Sequence, residues 1–171
     1  VWIFIIPFIA VNACLILITQ FHEFFPNQED IIHNTFPYFE GGASISRTAR
    51  PFPSWLIFKP AMFLTSYILI KYWIYNKQII EFFDFNHKNK KKILYFGIAS
   101  AVALTIHSIF LGIKFDIQLY KLFRRVVLLL FIIFELIAQG YLVYHFLKLK
   151  TQLEKFIIRK ILIMKLILVS I

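Results

Sequence analysis

The sequence has a single cysteine among its 171 residues, and this scarcity excludes two kinds of structure. One thiol cannot form a disulfide within the chain, and it cannot supply the CxxC pair of a zinc site. Cys14 lies inside an apolar run, where we expect a small buried side chain. The chain also contains neither a GxSxG nor an HExxH motif. The sequence therefore predicts no cofactor and no metal ion, and it favours a non-catalytic protein.

Acidic residues are also few: Asp and Glu number 9 against 19 Lys and Arg, which gives a formal net charge of +10. Such a charge is typical of nucleic-acid-binding proteins, but no RNA-binding signature accompanies it. The basic residues instead cluster beside apolar segments, where they orient membrane helices and attract anionic lipid. We therefore expect the partners to be membrane lipids, including anionic lipids, and other membrane proteins, rather than nucleic acid.

Long apolar runs dominate the chain. Hydrophobic residues make up 60% of it, above the roughly 45–50% of soluble domains. The runs that approach the roughly 20 residues needed to cross a bilayer are Val1–Thr19, Trp55–Tyr75, Ile93–Ile113, Val126–Leu147 and a segment that begins near Phe156. Backbone groups in lipid must bond internally, so each span has to be helical. The predicted fold is all-α: a polytopic transmembrane helix bundle that forms a single domain over residues 1–171, with five visible spans.

The distribution of Lys and Arg predicts the orientation of these spans. The second and fourth connections are the most basic, and basic connections face the cytoplasm. The first loop, residues 20–54, has only Arg47 and Arg50 as basic residues. We therefore expect this loop to be extracytoplasmic or lumenal and the N-terminus to be cytoplasmic. The third connection must share the outer side although it is itself basic, with Lys114, Lys121, Arg124 and Arg125.

The first loop contains the most distinctive motif of the chain, "FPYFEGGASISRTARPFPSWLIFK", which ends inside the second apolar run. Pro51 and Pro53 favour extended backbone just before the span. Trp55 is placed as an interfacial anchor. The loop is about 35 residues long, and long loops of this kind are commonly functional.

This motif resembles the first-loop signature of the Frag/DRAM/Sfk family of multi-pass membrane proteins. The matching residues are Ser44, Ile45, Ser46, Pro51 or Pro53, Trp55 and Phe58. The order of a long outer loop, a basic cytoplasmic loop and a short outer loop is also similar. The resemblance implies a sixth span in the full chain, no agreed catalytic mechanism, and a role in autophagy modulation, lipid-anchor remodelling or lipid organisation.

Glu135 lies near the middle of the fourth apolar run, where an ionisable side chain costs at least roughly 2.5–3.5 kcal/mol unless it is paired or hydrated. We predict His107 of the third run as its partner, because the depths of the two residues differ by roughly 5 Å. Gln139 shares a helix face with Glu135 at i+4. This intramembrane polar pair is either a proton-responsive or polar-ligand site, or a neutral Glu135 that holds helices together by hydrogen bonds.

A second candidate site lies in the outer loop and at the entrance to the second run. Arginine forks match phosphate geometry, so this region is a candidate site for lipid headgroups. The candidate ligands are Arg47, Arg50, Lys59, Ser44 and Ser46. The alternative for Lys59 is that it snorkels to the outer interface.

Three functions are compatible with these features. The leading hypothesis is a non-catalytic membrane protein that acts in lipid organisation or as an interaction module. The first alternative is a proton-coupled transport component that uses Glu135 and His107. The second alternative is a lipid-modifying enzyme with its site in the outer loop, built from Ser44, Ser46, His22, His33 and Glu40.

Overall fold

The computed structural model describes residues 1–27, 38, 45–83, 90–113, 117–149, 163–164 and 167. Every regular element among these residues is helical. Helix α1 spans Trp2–Gln20 and is followed by a 3₁₀ turn at His22–Phe24, and α2 is a single turn at Ile45–Thr48. The three long helices that follow are α3 at Ser54–Phe83, α4 at Lys90–Phe110 and α5 at Gln118–Lys148. The all-α prediction is confirmed for this part of the chain.

Three helices within the described ranges are long and apolar enough to cross a membrane: Trp2–Gln20, Lys91–Phe110 and Gln118–Lys148. They coincide with the first, third and fourth predicted spans. Three is fewer than the five spans predicted. The fifth predicted span, from about Phe156, falls outside the described residues apart from positions 163, 164 and 167.

The second predicted span forms a helix, α3, but this helix is not among the three. Helix α3 contains Lys59, Lys71, Lys77 and Glu81, and such charges make a segment less apolar. The helix also continues past the predicted end at Tyr75. Lys77 Nζ lies 3.5 Å from Glu81 Oε1 in an i,i+4 ion pair, and pairs of this kind stabilise exposed helical turns.

Helix α5 begins well before the predicted fourth span. The carbonyl of Ile117 accepts bonds from the amides of Tyr120 and Lys121 at 3.1 and 3.3 Å, and these bonds start the helix at Gln118. The residues of this stretch, Gln, Leu, Lys and Arg, are mostly good helix formers. Consequently Arg124 and its basic neighbours belong to the first turns of α5 and not to a loop.

The chain groups into two compact units. Unit 1 comprises Val1–Ile68 and Leu104–Val127, and unit 2 comprises Leu69–Ala103 and Leu128–Ile171. Helices α3, α4 and α5 each contribute residues to both units. A single domain over residues 1–171 remains a prediction.

In unit 1, helix α1 contacts α2 and the beginning of α3. Cys14 is completely buried, and its thiol donates to the carbonyl of Ser54 at 3.4 Å. The expectation of a buried Cys14 is therefore confirmed. Asn12 Nδ2 donates to the carbonyl of Phe8 at 2.7 Å, while Asn12 Oδ1 accepts a bond from the hydroxyl of Tyr38. The middle of α1 is thus tied to a residue of the first loop.

Candidate functional site

A carboxylate cluster in unit 2 connects three helices. Glu135 of α5 is half-buried, and its Oε2 accepts bonds from Trp73 Nε1 of α3 at 3.3 Å and from Ser100 Oγ of α4 at 2.8 Å. Its Oε1 accepts a 2.7 Å bond from Gln139 Nε2, one turn further along α5. We call these four residues the carboxylate cluster. Because a carboxylate accepts at both oxygens, one side chain joins α3, α4 and α5.

Gly97 of α4 determines where the indole of Trp73 lies. A Cβ atom built at Gly97 would lie 2.2 Å from Cγ of Trp73, which is closer than any real contact. The indole therefore occupies space that only a glycine leaves free. Trp73 is completely buried in this position. The close approach of the two helices directs its Nε1 toward Glu135.

The acceptors of the carboxylate cluster are not all satisfied by its donors. Ser100 Oγ lies 2.8 Å from both Glu135 Oε2 and the carbonyl of Gly97. A hydroxyl has one proton, so Ser100 donates to only one of these oxygens at a time. Gln139 Oε1 is buried and has no hydrogen-bond partner among the residues that the structure describes. The cluster therefore contains acceptors that its own donors leave unbonded.

His107, the predicted partner of Glu135, lies in unit 1, whereas Glu135 lies in unit 2. Their pairing remains a prediction. Within unit 1 the half-buried imidazole hydrogen-bonds to the backbone of Arg124. Its Nδ1 is buried without a hydrogen-bond partner in the described part of the chain. The structure thus places His107 beside a cation of α5.

A group of basic residues lies in unit 1, where the end of the first loop meets the turn after α4. The carbonyl of Arg50 lies 3.4 Å from the Cβ position of Gly112. The charge of Arg50 interacts with that of Arg124, and Tyr120 also lies close enough to affect Arg50. Arg124 itself lies over the ring of Tyr120, with Cζ 5.6 Å from the centroid. We call Arg50, His107, Tyr120 and Arg124 the arginine cluster.

The two positive charges of the arginine cluster, on Arg50 and Arg124, repel each other. Burial lowers the pKa of Arg50 from its ordinary value, and the positive charge of Arg124 lowers it further, while Tyr120 partly opposes both effects. Nε of Arg124 is buried and has no hydrogen-bond partner within the described ranges. Two half-buried guanidinium groups that repel each other attract an anion.

The last turn of α4 is capped by two side chains of unit 1. Lys59 Nζ donates to the carbonyl of Ile109 at 3.4 Å, and it lies 5.5 Å from the centroid of the Trp55 ring. The hydroxyl of Tyr120 donates to the carbonyl of Phe110 at 2.6 Å. These carbonyls have no helical partner of their own. Lys59 is therefore a capping cation in the structure, and its role as a headgroup ligand remains a prediction.

The other predicted headgroup ligands are distributed along the end of the first loop. Arg47 is exposed and lies in α2, which also contains Ser46. Ser44 falls outside the described residues, as do His33 and Glu40 of the hydrolytic alternative.

Trp73, Ser100 and Arg124 are not among the site residues that the sequence predicts. Arg124 had a usable signal, because a basic residue in a connection predicted to face outward is unexpected. Ser100 and Trp73 had none, because both side chains are uncharged and neither is unexpected in an apolar helix, unlike an acid.

A groove of about 460 Å³ lies on unit 2 at the beginning of α4. Its lining residues are Lys91, Lys92, Tyr95, Phe96 and Tyr141. The rings of Phe96 and Tyr141 stack with centroids 6.3 Å apart. Lysines beside aromatic rings are typical of a membrane interface, and the two lysines belong to the connection predicted to be cytoplasmic.

Among the described residues, no group of three His, Cys, Asp or Glu side chains could hold a metal ion. Comparisons of the chain with protein-family models, with curated proteins and with solved structures found no match. The carboxylate cluster and the arginine cluster are therefore the features from which a function can be inferred.

Proposed function

We propose that this chain is a non-catalytic, multi-pass integral membrane protein that acts in membrane lipid organisation or as an interaction module. This is the role implied by its resemblance to the Frag/DRAM/Sfk family. Its five spans include α3 and the segment that begins near Phe156. The N-terminus is cytoplasmic, and residues 20–54 are extracytoplasmic or lumenal.

The carboxylate cluster is the observation that supports this proposal. The bonds to Glu135 from Trp73, Ser100 and Gln139 all come from the chain itself. A carboxylate that is bonded in this way holds helices in a fixed arrangement, because its removal leaves the donors of Trp73 and Gln139 without this acceptor and breaks the link to Ser100. A rigid scaffold requires such a connection.

The surface of α5 in unit 2 also supports a lipid-facing scaffold. The exposed residues of this stretch include Leu128, Leu129, Ile132, Ile133 and Leu136. By contrast, Glu135 and Gln139 are half-buried on the same helix. Apolar residues on the outside and polar residues within are expected for a helix surrounded by lipid.

Replacement of Glu135 tests the scaffold role. We expect Glu135→Leu to lower the free energy of unfolding by about 1–3 kcal/mol, because Trp73 and Gln139 lose their acceptor while Ser100 keeps only the carbonyl of Gly97. Glu135→Gln should lower it by less than about 1 kcal/mol, because an amide keeps one acceptor oxygen and can donate to Ser100. Thermal unfolding in detergent, followed by circular dichroism, measures both changes.

Glu81→Leu is the matched control. It removes a carboxylate from a partly exposed ion pair with Lys77, and such pairs contribute about 0–1 kcal/mol. If Glu135→Leu is no more destabilising than Glu81→Leu, the carboxylate cluster does not hold the helices together, and the scaffold proposal is wrong.

One observation favours a second candidate function, a proton-coupled transport component. A proton on Glu135 Oε2 would be donated to Ser100 Oγ, which would then be free to donate to the carbonyl of Gly97. For this function, proteoliposomes that contain a trapped pH dye should show proton movement with the wild type and none with Glu135→Gln. Equal dye responses from the wild type, the variant and empty liposomes would exclude it.

A further inference from the structure

We infer that the arginine cluster of unit 1 is a binding site for a phosphate group, presented by an anionic lipid headgroup or by soluble phosphate. This inference rests on the proposed membrane function and names the ligand class that such a protein would hold at its outer surface. The two guanidinium groups, those of Arg50 and Arg124, are the binding groups. His107 is a positioning residue, because it contacts the backbone of Arg124.

The geometry of Arg124 leaves donors available for an anion. Its guanidinium lies over the face of Tyr120 with 5.6 Å between Cζ and the ring centroid. A cation–π contact at this distance does not use the N–H donors of the guanidinium, which therefore remain able to bind an anion. Its Nε is buried and has no hydrogen-bond partner among the described residues, and an unbonded buried donor is costly. An oxyanion would supply the missing acceptor.

The positive charge of the arginine cluster favours a negatively charged ligand. Arg50 and Arg124 come from different elements, and their repulsion contributes to the lowered pKa of Arg50. An anion bound between the two guanidinium groups would be attracted to both of them, and this attraction would offset their mutual repulsion. A phosphate has several oxygens and can bond to two guanidinium groups at once, which is why arginine is preferred at phosphate sites.

The surroundings of the cluster favour a lipid over a soluble anion. Ile113, Ile117 and Leu119 lie between the end of α4 and Tyr120, and all three are exposed. Trp55 and Lys59 lie beside the last turn of α4, and both residue types are typical of the interface between membrane and water. Exposed apolar side chains next to a basic group can contact an acyl chain while the arginines hold its headgroup.

Native mass spectrometry of the purified chain in detergent tests the site with three short-chain lipids: phosphatidic acid, phosphatidylglycerol and phosphatidylcholine. We expect the wild type to retain the two anionic lipids in preference to phosphatidylcholine. Arg124→Gln should weaken phosphatidic acid binding at least roughly tenfold, because it removes charge-assisted hydrogen bonds. Arg125→Gln, the same substitution at the neighbouring exposed residue, should change binding less than about twofold.

A second arm identifies the source of the phosphate. Inorganic phosphate is titrated against the wild type, and thermal unfolding reports binding as a rise in the melting temperature. A rise with phosphatidic acid alone identifies a lipid site, and an equal rise with inorganic phosphate identifies a site for the soluble anion. Arg124→Lys, which keeps the charge but loses the fork, provides a variant for the case in which Arg124→Gln does not fold.

Two results would overturn the inference: no anion binding to the wild type, or equal losses in the Arg124 and Arg125 variants. Neither result bears on the scaffold role, which depends on the melting of Glu135→Leu. If that variant is destabilised as expected while anion binding is absent, only the phosphate site is wrong.

Discussion

Gly97 shows how one residue without a side chain determines the position of a polar group elsewhere. The indole of Trp73 fills the space beside the Gly97 backbone, and this packing places Nε1 against Glu135. Trp73 is completely buried, so it cannot move aside without displacing other core residues. The bond to Glu135 therefore depends on a contact made by a different pair of residues.

We predict that Gly97→Ala destabilises the protein by about 1–3 kcal/mol, because the new methyl group overlaps Trp73. The effect should reverse in a Trp73→Ala background. There the ring is absent, and alanine is favoured over glycine in a helix by about 1 kcal/mol. Thermal unfolding of the four proteins measures the cycle. A loss of similar size in both backgrounds would show that Trp73 does not occupy the space beside Gly97.

The carboxylate cluster could be predicted from the sequence only in part. Glu135 is identifiable because an acid within an apolar run is rare, and Gln139 follows from helical periodicity at i+4. Trp73 and Ser100 precede Glu135 by 62 and 35 residues, and no local pattern reports a contact over that distance. The packing of Trp73 on Gly97, which sets the position of the donor, exists only in the folded chain.

At the scale of helices, the least predictable features are the ends. Apolar runs locate the middle of α3 and α5, but both helices extend into charged stretches. The extension of α3 includes the ion pair of Lys77 and Glu81, and the beginning of α5 consists largely of helix-forming Gln, Leu, Lys and Arg. Hydropathy measures whether a segment can enter lipid, whereas a helix continues wherever its backbone bonds are satisfied.

The end of α4 has a local cause. Gly112 has φ of 95°, a conformation that glycine adopts without steric cost. The carbonyl of Arg50 lies 3.4 Å from the position of its missing Cβ, so the turn also brings the first loop against the end of α4. This glycine therefore terminates the helix and helps to position the arginine cluster.

We expect Gly112→Ala to lower the free energy of unfolding by about 1–2 kcal/mol, because an L-residue is strained at positive φ. Gly112→Asn should cost less, since asparagine tolerates this region best among the other residues. Circular dichroism melts of the two variants supply the comparison. Equal costs would indicate that contact with Arg50, and not the backbone conformation, requires glycine here.

At the scale of the whole molecule, two groups of basic residues belong to different compact units. Unit 1 brings Arg50 of the first loop next to Arg124, which the sequence places in the third connection. These two connections share a side in the proposed topology. The lysines of the second connection, including Lys91 and Lys92, belong to unit 2. Because cytoplasmic connections carry an excess of Lys and Arg, that connection is expected to be cytoplasmic. The third connection departs from this rule, since it is basic and yet lies on the outer side in the proposed topology.

Labelling of single cysteines tests this topology directly, because the wild type contains only Cys14, which is completely buried. An impermeant maleimide should leave the wild type unlabelled in intact cells. We expect it to label Ser44→Cys and Arg125→Cys in sealed right-side-out cells, and to label Lys92→Cys only after permeabilisation. If Ser44→Cys and Arg125→Cys differ from each other, the first and third connections lie on opposite sides. If Lys92→Cys reacts in intact cells while both others require permeabilisation, the orientation is inverted, and the arginine cluster would face the anionic lipids of the cytoplasmic leaflet.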